Sequence, residues 1–143
     1  MRSKLLHDGA QRTWALVFET GDEVAGTLRA FAAEHGLAGS HFTAIGAFQD
    51  VTVAYFDWES KEYQPIPIRE QVEVLMLAGD IALKDGEPKL HAHVTVAKRD
   101  GTAHGGHLVE AHVRPTLELV LTESPEHLQR RHDAETGLAL IEV

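Results

Sequence analysis

The chain has 143 residues, of which 43% are hydrophobic and 24% charged, with no cysteine and a formal net charge of −9. That length and balance suit a single domain, residues 1–143, with a core of its own, and no apolar run reaches the roughly 20 residues that cross a bilayer. Disulfides and thiolate metal sites are excluded, and 22 acids against 13 bases disfavour a phosphate backbone as partner.

The start, MRSKLLHDG, lacks the apolar stretch of a secretory signal. Together with the absence of cysteine, this predicts a cytoplasmic protein. The densest basic spot, Gln129-Arg130-Arg131-His132, has acids on both sides. DNA binding is therefore disfavoured on charge.

In chain order, Thr13 to Glu19 alternates and is rich in β-formers, which predicts a strand. Thr20-Gly21-Asp22-Glu23 opens a helix, and acids there suit the helix dipole. Val24, Leu28, Phe31, Ala32 and His35 keep helical spacing, and Gly36 suits the left-handed position that ends it. Strands dominate afterwards. Phe42 to Phe48 contains Gly46, which predicts a bulge or a close backbone approach, and Val51 to Trp58 alternates. Pro65 and Pro67 predict an edge strand or a loop. Val72 to Leu83 reads as a buried strand, and Lys84 to Pro88 as a turn. His91 to Ala97 and Gly106 to Val113 form a hairpin, and Thr116 to Thr122 another strand. One or two helical turns over Pro125 to Arg131 and a last strand over Leu138 to Val143 complete the reading. The fold class is α+β, with one main helix on a mainly antiparallel sheet.

The chemistry concentrates in His91 to Leu108, HAHVTVAKRDGTAHGGHL. His91 and His93 project from one face of a strand, because successive side chains alternate. The loop decides which third histidine joins them. A two-residue Asp100-Gly101 turn puts His104 on that face. A three-residue loop, Arg99-Asp100-Gly101 with Gly101 left-handed, puts His107 opposite His93 and sends His104 to the other side. His107 is favoured, because it lies deeper in the hairpin and Gly105 and Gly106 leave room beside it. Three imidazoles with an open fourth position make a catalytic type of zinc site. The set also admits nickel, copper or iron, and the expected cofactor is a divalent metal, zinc first. The plain alternative is a pair of solvent-facing histidines. His7, His41, His112, His127 and His132 default to surface or structural roles.

Glu73 in VEVLMLAG and Glu118 in TLELVL are acids embedded in apolar strands. Either could orient a histidine or act as general base, and both are the candidate catalytic residues. The alternatives for both are a solvent-facing position and an ion pair between subunits. Asp80 and Arg69 are weaker candidates. No phosphate-binding glycine loop or serine nucleophile elbow is present.

These segments together resemble the plants-and-prokaryotes-conserved (PPC) domain, over nearly the whole chain. The matching pieces are Gly21-Asp22-Glu23-Val24, Ile45-Gly46-Ala47-Phe48, Glu73-Val74-Leu75, Gly79-Asp80-Ile81, His91-Ala92-His93, Gly105-Gly106-His107-Leu108 and Glu118. The tail from Arg130 to Leu138 matches as well. The resemblance implies a trimer and a three-histidine metal site, carried here by His91, His93 and His107. It also implies a fold similar to acetolactate decarboxylase, a zinc enzyme. Plant members bind DNA through an appended Arg-Gly-Arg segment, which this chain lacks.

The expected function is divalent-metal binding by a homotrimer, with a small acidic or carbonyl ligand at the ion. The activity weighed for such an ion is that of a zinc-dependent lyase or hydrolase, against metal binding without catalysis. The alternatives are a DNA-associated or regulatory scaffold and a structural metal that fastens the hairpin.

Overall fold

A computed structural model describes all 143 residues. The elements are β1 (Arg2–Asp8), β2 (Arg12–Glu19), α1 (Val24–His35), β3 (Gly39–Asp57), β4 (Glu62–Ile68), β5 (Val72–Lys84), β6 (Glu87–Ala97), β7 (Ala103–Glu123), β8 (Gln129–His132) and β9 (Ala139–Glu142). The helix starts where the Glu23 carboxylate accepts from the Ala25 and Gly26 backbone N–H groups, 2.8 and 2.5 Å away. It ends at Gly36, whose φ of 61° is left-handed. Glu23 thus caps the helix from outside its first turn, satisfying two N–H groups that have no partner within the helix. Val24, Ala25, Leu28, Phe31 and Ala32 form its buried stripe.

Nine strands make one sheet, ordered β1-β2-β7-β3-β5-β8-β9, with β4 on β3 and β6 joining β5 to β7. All pairings are antiparallel except the single β5–β8 contact. Because β6 touches both β5 and β7, strands β3, β5, β6 and β7 close on one another. The inner face and the helix share a core of 27 residues, with Phe18, Leu28, Phe42, Phe48, Leu77 and Leu119 at its centre. The architecture is α+β, as its segments predict.

Two pairs of expected strands are continuous in the structure. Phe42–Phe48 and Val51–Trp58 belong to β3, and Gly106–Val113 and Thr116–Thr122 belong to β7. Bulges take up the curvature, with register shifts along the β3–β7 ladder at Gly46/Phe48, Phe48/Asp50 and Thr52/Val53. Gly46 has a φ of 152°, and a Cβ there would strike the backbone oxygen of Thr116. β4, with Pro65 and Pro67, pairs only with β3 and is an edge strand.

Two expectations are corrected, and one strand is added. Pro125 to Arg131 is not helical. Leu128 exchanges backbone hydrogen bonds with Ala38 and Leu83, which hold the segment extended into β8. β5 is buried on one face only, leaving Leu75 and Met76 exposed, because no second layer covers that side of the sheet within the chain. β1 went unread because its seven residues are all exposed and show no alternation.

Gly46→Ala is expected to destabilise the chain by well over the roughly 1 kcal/mol of an ordinary positive-φ substitution, because it adds a backbone clash. Gly101→Ala has the same φ problem but open space around it, so it is expected to cost about 1 kcal/mol. Urea unfolding of the two variants checks that order. A second expectation concerns His112, which is hydrogen-bonded through Nδ1 to Asp50 at 2.8 Å. That hydrogen bond and the nearby carboxylates raise its pKa above the usual 6.5. Folding of native protein should therefore gain from the pair fully below about pH 6.5 and lose that gain as pH rises through the higher folded value. Asp50→Asn should narrow its stability gap to native across that window in urea unfolding between pH 5.5 and 9.

Candidate metal centre

Along β6, Ala92, Val94 and Val96 are buried in the core, which turns His91 and His93 to the outer face. The loop from Lys98 to Thr102 closes through Lys98 N–H to Thr102 O at 3.0 Å, with Gly101 at φ 83°. This is the three-residue loop, and its register sets His107 directly opposite His93. His104 faces Val96 instead, is exposed and does not join the cluster.

Ring centroids are 5.2 Å apart for His91–His93, 5.3 Å for His91–His107 and 5.4 Å for His93–His107. One ring nitrogen from each lies within 4.8 Å of the other two. Nitrogens bound to one zinc at about 2.1 Å stand about 3.4 Å from each other in a tetrahedron, so small ring rotations close the site. Tyr63 on β4 stacks on His107 with centroids 4.5 Å apart. Burial first, then His91, His93 and Lys89 nearby, push the His107 pKa down to about 4. Burial and His91 lower His93 as well. At neutral pH these rings hold free lone pairs, the form that binds a metal. The Nδ1 of His107 is buried and has no hydrogen-bond partner. A buried imidazole nitrogen without a protein partner, on a ring that clusters with two others, fits a metal-binding role.

Behind His91, two side chains complete a relay. Asp80 pairs across β5 with His91, its Oδ2 3.5 Å from Nδ1. Arg130 on β8 donates from Nη2 to Asp80 Oδ1 at 2.5 Å and from Nη1 to the Ala139 carbonyl at 2.8 Å. Burial raises the Asp80 pKa, but hydrogen bonds and charge from His91 and Arg130 outweigh it, so the carboxyl sits below its usual range. Arg130 Nη2 lies 3.5 Å from the same His91 Nδ1, so both partners face that nitrogen and Nε2 of His91 is the one left for an ion.

The acids singled out in the sequence lie elsewhere. Glu73 pairs with Ala47 and Ala97, five positions along β5 from the Ala78 that faces His93, roughly 17 Å away. Glu118 pairs with Val17 and Ile45, and three strand steps separate its row from His93. Both are exposed. One chain does not bring either to the histidines. The carboxylate at the cluster is Asp80, and Arg130 is the partner that sequence reading missed as a site residue. Gly105 and Gly106 also act differently from expectation. A Cβ on them would meet the backbone oxygens of Val94 and Ala54, 2.6 and 2.7 Å away, so they allow strands to approach rather than clear space for an ion.

Residues 6–125 match the Plants and Prokaryotes Conserved (PCC) domain. A PPC protein from Pyrococcus horikoshii superposes with a TM-score of 0.86 at 35% identity, covering 92% of each chain. The metal-containing protein from Archaeoglobus fulgidus gives 0.84 at 32% identity, covering 100% of this chain and 99% of that one. A Bacteroides thetaiotaomicron protein with a provisional DNA-binding label gives 0.88 at 27% identity, over 98% and 96%. In sequence, the bifunctional protein GlmU of Synechococcus is 31% identical over 95% of this chain. The chain spans only 21% of that relative's length. A Staphylococcus aureus protein similar to acetolactate decarboxylase shares the fold alone, with a TM-score of 0.54 at 15% identity. No helix here is long and apolar enough to cross a membrane. A family match over most of the chain, joined to relatives of the same shape and length, makes this protein a member of the Plants and Prokaryotes Conserved domain family.

Proposed function

We propose that the chain binds one divalent metal ion, zinc by preference, through His91, His93 and His107, and that the ion serves chemistry on a small acidic or carbonyl ligand. The observation that carries this reading is the convergence of three imidazoles from facing strands, one of them with a buried, unpartnered nitrogen. The Archaeoglobus relative's description as metal-containing supports it. A divalent ion held by three imidazoles supplies Lewis acidity to an oxygen-bearing ligand, as lyases and hydrolases use it. The chain's own contribution is orientation. Asp80 holds the His91 ring by Nδ1, Arg130 holds Asp80, and Tyr63 packs flat against His107 and narrows the access of water. A metal serving only to fasten the hairpin would normally take a fourth protein ligand, and the cluster offers three.

We further propose self-association, as a trimer, through the open face of the sheet. Ile45, Leu75, Met76 and Val120 are all about half exposed on β3, β5 and β7. A groove lined by Val17, Ile45, Met76 and Val120 runs over that face, and contiguous apolar surface of this kind marks an interface. Glu118 lies in the same groove, so its role is at the subunit contact rather than at the ion of its own chain. Glu73, exposed at the end of β5, takes a surface position. The absence of cysteine fits a reducing compartment, and we assign the cytoplasm. The scaffold reading takes its support from the Bacteroides relative's label, and a net charge of −9 opposes it. Retention on DNA at low salt that falls steeply with added salt would restore it.

Zinc titration followed by metal analysis is expected to give one ion per chain for native protein and none for His93→Ala after dialysis. Asp80→Asn should keep the site but weaken it about 10- to 100-fold. Equal, near-zero metal in native and His93→Ala protein would remove the reading. In sedimentation, native protein should run as a trimer, and Val120→Glu as smaller species. A native monomer at micromolar concentration would sink the assembly.

A further inference from the structure

The histidine cluster opens onto a cavity of about 290 Å³ whose far wall is the β8–β9 hairpin. This volume stands near the lower end for small-molecule sites, enough for a ligand of a few carbons. Lys84, Lys89 and Arg130 line the cavity, and no acid does. That is a local reversal of sign in a chain of net charge −9. Neither lysine is ion-paired. Arg130 spends Nη1 and Nη2 on Ala139 and Asp80, while its Nε has no partner. The remaining wall is apolar, from Leu90, Leu138, Ala139 and Leu140.

One cationic end and one apolar wall select among ligand classes. A cation would meet repulsion from the two unpaired lysines and from the ion itself. An inorganic oxoanion would satisfy the cations but leave the leucine wall against water. A neutral amide would fit the wall and forgo the Coulomb attraction. We propose that the cavity binds a short-chain carboxylate, with its carboxylate toward Lys89 and the histidine cluster and its alkyl part against Leu138 and Leu140. The inference rests on the metal reading above, since two of the three proposed ligands, His91 and His107, line the cavity with the lysines. It adds the ligand class and assigns the C-terminal hairpin as the element that selects it.

The test uses the native chain loaded with zinc and freed of excess metal, titrated calorimetrically with butyrate, butyramide and inorganic phosphate. Butyrate should bind at least about 10-fold tighter than either of the others. Lys89 is exposed, so Lys89→Gln should fold and keep its zinc while binding butyrate about 5- to 10-fold more weakly. Leu140→Ser should weaken butyrate and leave phosphate unchanged. Equal binding of butyramide, equal or tighter binding of phosphate, or butyrate affinity untouched by both variants would overturn the proposal. Zinc content is measured first on the same samples, so a failure to hold metal is seen separately. In that event butyrate is titrated into the metal-free chain, where retained preference over butyramide and phosphate supports the cavity assignment and its loss ends it.

Discussion

The left-handed Gly101 holds the β6–β7 loop at three residues, and the three-histidine cluster depends on the register this creates. Side chains alternate along a strand, so adding or removing one loop residue would swap His107 for His104 and turn the third imidazole away from the other two. A second tight turn works the same way on the other side of β6. Asp85 and Gly86 both have positive φ, 54° and 84°, and pair Lys84 with Glu87. Counting back from that pair sets Asp80 opposite His91. Two short turns therefore fix four side chains on three strands, and the site is built on rigid sheet rather than on a loop.

Burial then decides the protonation state of what the register collects. Three imidazolium ions within about 5 Å would repel one another strongly. The fold avoids that charge by half-burying His107 between Tyr63 and the neighbouring strands, which keeps the ring neutral. The buried charge beside His91 is paired. Asp80 and Arg130 neutralise each other within reach of His91, so the carboxylate can orient the imidazole without leaving an uncompensated buried charge. Removing either partner alone would be worse than removing both.

Local features were the legible ones. The helix, its glycine stop and the proline-bearing edge strand all follow from spacing and from residues with few allowed conformations. The hairpin register was legible as two alternatives, because loop chemistry is local, and the depth of His107 in the hairpin favoured the one observed, whereas the room expected beside Gly105 and Gly106 is taken up by neighbouring backbone. Asp80 could have been found by the same count, since Lys84-Asp85-Gly86-Glu87 is a two-residue turn signal and the arithmetic leads straight to His91. Arg130 could not. Its place depends on β8 crossing to β5 through a single parallel contact and on Leu128 bonding to Ala38 and Leu83, neither of which leaves a periodic trace. Glu73 and Glu118 misled for the opposite reason. An acid in an apolar run looks costly only if both faces of the strand are buried, and here one face is open.

The open face and the metal centre belong to the same surface. His93 pairs through Ala78 and Thr43 to Val120 and Ala15, one continuous row across four further strands. In the proposed assembly, covering the apolar end of that row would limit approach to the histidines from that side and leave the cavity under the β8–β9 hairpin as the open one. That hairpin lies beyond residues 6–125, the part that matches the family. The histidines and Asp80 lie inside those residues and Arg130 and the leucine wall after them, but the Archaeoglobus relative superposes over the whole chain, so the hairpin belongs to the shared shape and closes the cavity as part of it.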